Sequence, residues 1–218
     1  MATLLLDFDS TLISKESLEE IMANLTEHID EVKKITQNGM SGKVSFVSSL
    51  QKRLALVPIS KRAVAAFCQI VHRYITPGMP ELLDELRGHF VDIWIVSGAI
   101  RDVILPVARE VGIPPSHILG VELLWSNEGT CLGIDQTKAN HTSKTAGVKL
   151  LAKHFTTPII AVGDGMTDYE LYEQKVATHF VAFTQHARYH EVVARSPFEA
   201  RTVEELRACL FSRILKTK

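Results

Sequence analysis

The chain has 218 residues, 46% hydrophobic and 22% charged, with a formal net charge of -1. These totals suit one mid-sized globular domain, or a core with a smaller insertion, and exclude a disordered or fibrous chain. The charge balance, with no dense Lys/Arg stripe, argues against a nucleic-acid partner, and no apolar run approaches the roughly 20 residues of a membrane span.

In chain order, Thr3 to Leu6 is a short apolar run closed by Asp7 and Asp9, the pattern of a buried parallel strand. No strand-like run follows between about residues 14 and 74. Ser17 and Glu20 have the spacing of a capping box, and Leu18, Ile21, Met22 and Leu25 follow at helical spacing. A second helix is expected around Phe46, Val47, Leu50 and Leu54, and a third around Ala63, Val64, Phe67, Ile70 and Val71. Pro77 and Gly78 punctuate the return to a strand–helix rhythm. Met79 to Gly88 and Arg101 to Gly112 read as amphipathic helices, with the strand Asp92 to Val96 between them. Val121 to Asp135 reads as a hairpin turning at Asn127, Glu128 and Gly129. Ser143 is placed to cap a helix running to about His154, with Val148, Leu151 and Phe155 inward. Pro158 to Val162 and Thr178 to Phe183 are two further strands. The expected fold is α/β: an open parallel sheet covered on both faces, from residues 1–13 and 75–218. A helical unit, residues 14–74, is inserted after the first strand, and a small β-hairpin is appended.

Ligands of such sheets bind beyond the carboxyl ends of the strands. Asp7 and Asp9 follow the first strand, Ser97 and Gly98 the second, and Asp164 and Asp168 the third; Lys144 opens the helix before that third strand. Each alone is ordinary turn or surface chemistry. Together they bring four carboxylates, a hydroxyl and an ammonium to one edge. Clustered carboxylates call for a hard cation, and magnesium suits oxygen ligands with phosphate. Phosphoryl transfer needs that positive charge, an ionised nucleophile such as Asp7, and a second carboxyl to move protons.

These residues resemble the four motifs of the haloacid dehalogenase-like superfamily of phosphohydrolases. Asp7-Phe8-Asp9-Ser10-Thr11 looks like the first, Val96-Ser97-Gly98 the second, Lys144 the third, and Gly163-Asp164-Gly165-Met166-Thr167-Asp168 the fourth. The resemblance implies that Asp7 is the nucleophile and Asp9 the general acid and base. It implies phosphate binding by Ser97, Gly98, Lys144 and Thr167. It implies magnesium held by Asp7, Asp9 through its backbone carbonyl, and Asp164, with Asp168 behind them. Within the superfamily the likeness is to phosphoserine phosphatases. It makes Glu16 the partner of a substrate ammonium and Arg53 the clamp on its carboxylate, with Met40 and Phe46 shielding the substrate. Two positions depart from the pattern: Ala99 stands where a second glycine is usual, and Thr167 where asparagine is frequent.

The expected activity is therefore magnesium-dependent hydrolysis of a small phosphomonoester, O-phospho-L-serine first, as in serine biosynthesis. Phosphohomoserine, phosphothreonine or a sugar phosphate are alternative substrates, and a non-catalytic phospholigand-binding protein is the alternative from another class. Cys68, Cys131 and Cys209 are widely spaced and form no pair motif, so a reducing, cytoplasmic setting is expected. Monomer and homodimer both stay open. His186 and His190 have a possible metal spacing, with His179 nearby, but no third ligand is evident. Trp94 and Trp125 read as packing residues.

Overall fold

The computed structural model describes residues 1–138 and 142–215. The first strand, β1 (Ala2–Leu6), is buried along its whole length, as befits a central strand. A tight turn, Phe8–Leu12, follows. Four helices come next: α1 (Ser17–Ala23), α2 (Ile29–Met40), α3 (Phe46–Leu56) and α4 (Lys61–Cys68). The chain then alternates through α5 (Met79–Gly88), β2 (Val91–Ile100), α6 (Arg101–Glu110) and β3 (Ile118–Val121). A hairpin, β4 (Leu123–Trp125) and β5 (Cys131–Ile134), intervenes. The chain ends with α7 (Lys144–Leu150), β6 (Ile159–Gly163), α8 (Met166–Glu173), β7 (His179–Phe183), α9 (His190–Val193), β8 (Phe198–Ala200) and α10 (Val203–Cys209).

Six strands form one parallel sheet in the order β3-β2-β1-β6-β7-β8. The strand period of two sorts its side chains into two apolar layers. Leu4, Leu6, Ile93, Ile95, Ile160, Val162, Val181 and Phe183 face one way, with α5, α6, α10 and the inserted helices packed on them. Leu5, Trp94, Val96, Ala161, Phe180 and Ala182 face the other, under α7, α8 and α9. Burial on both faces is why these strands read as unbroken apolar runs. Register then sets the site. Leu6 lies opposite Ile95 and Val162. Asp7 is therefore one residue beyond that line, and Ser97 and Asp164 are two.

Serine caps open three helices: Ser45, Ser60 and Ser143 accept from the amides of Ser48, Ala63 and Ala146 at 3.2, 3.2 and 3.0 Å. The capping box expected at Ser17 does not form. Glu16 takes the cap position without a side-chain bond, and the Ser17 hydroxyl turns instead to Asp9. The helix α2 was not foreseen; its inward face is a sparse Ile29, Val32, Thr36 and Met40, of which only Val32 and Thr36 are buried. The strands β3 and β8 were also missed, being four and three residues long. The helix from Ser143 ends at Leu150 and continues as a 3-10 turn, Ala152–His154. Trp94 is a packing residue as expected, stacked on His117 at 4.2 Å between ring centroids. Trp125 is partly buried against the core, beneath the Lys61 ammonium. All three cysteines are free thiols. Among the described residues no helix is long and apolar enough to cross a membrane.

Candidate active site

Asp7 is the last residue that β1 holds to the sheet: its amide donates to the Val162 carbonyl at 2.9 Å. Its Oδ1 accepts from the Phe8 amide at 2.7 Å and faces Lys144 Nζ at 2.8 Å. The turn that follows is sharp enough to require Ser10 at φ 52°, in the left-handed region. It returns Asp9 to the same cavity as Asp7. Asp9 Oδ2 accepts from Ser17 Oγ at 3.0 Å, while its Oδ1 is buried with no hydrogen-bond partner among the described residues. Burial pushes the Asp9 carboxyl well above the usual range, and Glu16 and Asp7 add to the push.

The second strand contributes through an irregularity. Its pairing with β3 shifts register between Val96 and Ile100, so Ser97 and Gly98 lie inside a bulged strand end rather than after it. Ser97 is buried, and its Oγ accepts from the Ala99 amide at 3.1 Å. A Cβ at Gly98 would collide with the Phe46 ring, so glycine here lets α3 close on the strand tip.

Lys144 is 5% exposed and bridges Asp7 and Asp168, the latter at 2.7 Å. Burial alone would lower its ammonium, but the carboxylates of Asp168 and Asp7 outweigh that and hold it above its ordinary value. Asp168, on the first turn of α8, accepts from Lys144 through Oδ1 and from the Gly165 amide through Oδ2 at 3.2 Å. Burial, then Asp7, push its carboxyl up to about 8. Gly163 has no room for a Cβ because the Asp168 carboxylate occupies that space. Asp164 is buried, and neither of its oxygens has a partner among the described residues. Burial raises its carboxyl well above the usual range, with Glu16, Asp7 and Asp168 contributing.

The opposite wall comes from the inserted helices. Glu16 Oε1 accepts from Ser10 Oγ at 2.7 Å, and burial pushes its carboxyl up to about 7. Arg53 is 8% exposed. Its Nη1 donates to Thr36 Oγ1 at 3.3 Å and its Nε to the Ser49 carbonyl at 3.5 Å. Burial lowers the guanidinium's affinity for its proton, opposed by Glu16, Asp9 and Glu19. Among the described residues no ion pair neutralises Arg53. Met40, Phe46 and Thr167 also line the cavity.

One cavity thus touches Asp7, Asp9, Glu16, Met40, Phe46, Arg53, Ser97, Gly98, Lys144 and Thr167. Asp164 and Asp168 stand beside it, each within 4.8 Å of Asp7 through a carboxylate oxygen. The residues fit a hard cation. Five carboxylates face two side-chain cations, and Asp164 keeps both oxygens unpartnered in a buried position, which is costly without a counter-charge. Asp168, with both oxygens engaged, is better suited to stand behind such an ion. Sequence reasoning missed Ser10, Ser17 and Thr36, the hydroxyls that hold Glu16, Asp9 and Arg53. Ser17 was hidden by its resemblance to a cap, and Thr36 by an unrecognised helix. His179 bonds to Thr178 and His186 to Thr76, so neither joins a metal cluster among the described residues.

Comparison with known proteins bears on the family. The haloacid dehalogenase-like hydrolase family matches residues 4–173. The human phosphoserine phosphatase is 33% identical over 167 residues, 75% of this chain and 74% of that protein. The crystal structure of a phosphoserine phosphohydrolase-like protein from Francisella tularensis superposes with a TM-score of 0.94 at 36% identity, covering 97% of this chain and all of that one. A phosphoserine phosphatase solved as a phospho-aspartyl intermediate analogue is 26% identical, with a TM-score of 0.79 over 96% of this chain and 97% of its own. The chain belongs to the haloacid dehalogenase-like hydrolases, as a phosphatase related to the phosphoserine phosphatases.

Proposed function

We propose that this phosphatase hydrolyses O-phospho-L-serine to L-serine and phosphate, in a magnesium-dependent reaction through an aspartyl phosphate on Asp7. The observation that carries this reading is the pairing within one cavity of Asp7, Ser97 and Lys144 with Glu16 and Arg53. Phosphoserine bears a phosphate, an ammonium and a carboxylate. The strand-end wall is chemically suited to the first and the helical wall to the other two. Arg53 offers a planar fork for a carboxylate and has no ion-pair partner of its own among the described residues. Glu16 offers one anion for the ammonium.

In this reading an oxygen of Asp7 attacks phosphorus and the bond to the serine oxygen breaks. Asp9, whose raised carboxyl keeps a proton to give, protonates the leaving alkoxide. Asp9 then takes a proton from water, which attacks the phosphorus and frees Asp7. Ser97, Gly98, Lys144 and Thr167 hold the phosphoryl oxygens, and Met40 and Phe46 exclude solvent. Asp7, Asp164 and the Asp9 carbonyl would hold magnesium, with Asp168 behind; the ion supplies positive charge against the clustered carboxylates and the transferring group. Residues 14–74 act as a cap over a core of 1–13 and 75–218. The three free thiols fit a reducing, cytoplasmic setting, and the proposed substrate would put the reaction in serine biosynthesis. The phosphoserine phosphatases among its relatives support the substrate.

A panel of phosphomonoesters with and without magnesium tests this. Phosphoserine is expected to be the best substrate and magnesium to be required. Turnover of phosphoserine no faster than that of a plain aryl phosphate would overturn the substrate.

A further inference from the structure

The inserted helices join the rest of the molecule through two chain segments, which cross side by side. Ile13 and Ile75 pair as an isolated antiparallel bridge. The Ser14 amide donates to the Tyr74 carbonyl at 2.8 Å, and the Thr76 amide to the Leu12 carbonyl at 2.9 Å. Thr11, Leu12, Ile13 and Thr76 are all fully buried. The outgoing segment is continuous with the turn that carries Asp9, so the orientation of that turn and of the crossing are mechanically one matter.

A side chain from elsewhere reaches this crossing. His186 Nε2 lies 2.9 Å from Thr76 Oγ1. The Thr76 hydroxyl has a single proton, and it points to the Thr11 carbonyl at 2.7 Å, which can only accept. The Thr76 oxygen must therefore accept from His186, which fixes a proton on Nε2. Burial pushes the His186 pKa below its ordinary value, in keeping with a neutral ring at pH 7. The segment bearing His186 is itself anchored. Thr184 Oγ1 and Arg188 Nε donate to Glu199 Oε1 at 3.0 and 2.9 Å, and Gln185 Oε1 accepts from the Val203 amide at 3.1 Å. The Phe183 ring meets the His186 ring edge-on, with centroids 6.2 Å apart. A rigid segment following β7 thus presents one imidazole N–H to the crossing.

We infer that His186 is a positioning residue: as the Nε2–H tautomer it clamps Thr76, and through Thr76 and Thr11 it holds both the crossing and the turn bearing Asp9. Its effect on turnover rests on the proposed phosphatase mechanism; the clamp itself does not. An outside support at the crossing helps to keep one geometry, and misplacement of a catalytic group by even an ångström lowers rate steeply.

The test uses the full chain and three readouts. Imidazole nitrogen shifts should show His186 protonated on Nε2 at pH 7. In His186→Ala, amide exchange at Ser14 and Thr76 should speed up about tenfold, because local opening reports local stability. Phosphoserine kcat in that variant should fall about tenfold. His186→Gln, whose amide nitrogen can donate from a similar reach, should restore exchange and kcat to within about threefold of the parent. An Nδ1–H tautomer, unchanged exchange in His186→Ala, or a glutamine variant no better than alanine would each overturn the clamp. Exchange and tautomer need no substrate. If phosphoserine proved not to be hydrolysed while exchange still responded, the substrate reading would fail and the clamp would stand.

Discussion

The two walls of the cavity are built in different ways. At the sheet edge, Asp7, Lys144 and Asp168 form a buried ionic chain whose members are placed by strand register and by one another. On the helical wall, Glu16 and Arg53 are held by neutral hydroxyls, those of Ser10 and Thr36, and share no direct ion pair. On the first wall Asp7, Lys144 and Asp168 satisfy one another, while Asp164 keeps both oxygens unpartnered among the described residues. On the second, Arg53 has no ion-pair partner among the described residues and the Glu16 carboxyl is pushed up to about 7, a pairing that suits a zwitterionic ligand. A buried charge without a partner is costly, so that wall is stabilised by what it binds.

If this contrast is right, damage to the two walls should differ in kind. Lys144→Ala should have the largest effect. It leaves Asp7 and Asp168 facing each other in a buried site, so stability should fall by about 3–5 kcal/mol in denaturant unfolding. Hydrolysis of every phosphomonoester should fall with it. Equal stability with full activity would show that the ionic chain is dispensable. Arg53→Ala should act on substrates selectively, lowering kcat/KM for phosphoserine by about 100-fold, or roughly 2.7 kcal/mol. A plain aryl phosphate, lacking the carboxylate, should change by less than about threefold; equal losses on both would erase the distinction between the walls.

The smallest effect concerns Glu16. Burial pushes its carboxyl up to about 7, so below that pH the free enzyme presents a neutral acid to the substrate ammonium, and above it a carboxylate. The ratio of kcat/KM for phosphoserine to that for an aryl phosphate should therefore rise with pH through about 7. Taking the ratio removes the titration of phosphate and of the shared catalytic groups. In Glu16→Gln the ratio should be low and flat. A parent ratio without pH dependence would mean that Glu16 does not meet the ammonium in its charged form.

The same contrast explains what could be read from the residues beforehand. β1, β2, β6 and β7 are central or nearly so, buried on both faces, and therefore announced by apolar runs ending in Asp7, Ser97 and Asp164. Edge strands lack that signature: β8 is Phe198–Ala200, with Glu199 bonded to Thr184, Arg188 and Arg201. The insertion was legible as helical, but α2 was not, because its buried face includes Thr36 and its cap residue, His28, makes no capping bond. Thr36 turned out to hold Arg53. Ser17 followed the rule for a helix start, yet its hydroxyl is drawn away by the buried Asp9 carboxylate. The local helix rule thus failed where Glu16 took the cap position and the Ser17 hydroxyl donated to a tertiary partner instead. His186 illustrates the converse: its spacing to His190 suggested a metal, whereas its actual partner, Thr76, is 110 residues distant.

The central claim is that Asp7 becomes covalently phosphorylated. The most direct measurement is acid quenching of the enzyme during turnover of phosphoserine with magnesium, followed by peptide mass mapping. One phosphoryl group on the peptide containing Asp7, absent in Asp7→Asn together with at least a roughly thousandfold loss of turnover, is the expected result. A phosphoryl group on another residue, or Asp7→Asn retaining magnesium-dependent hydrolysis, would contradict it.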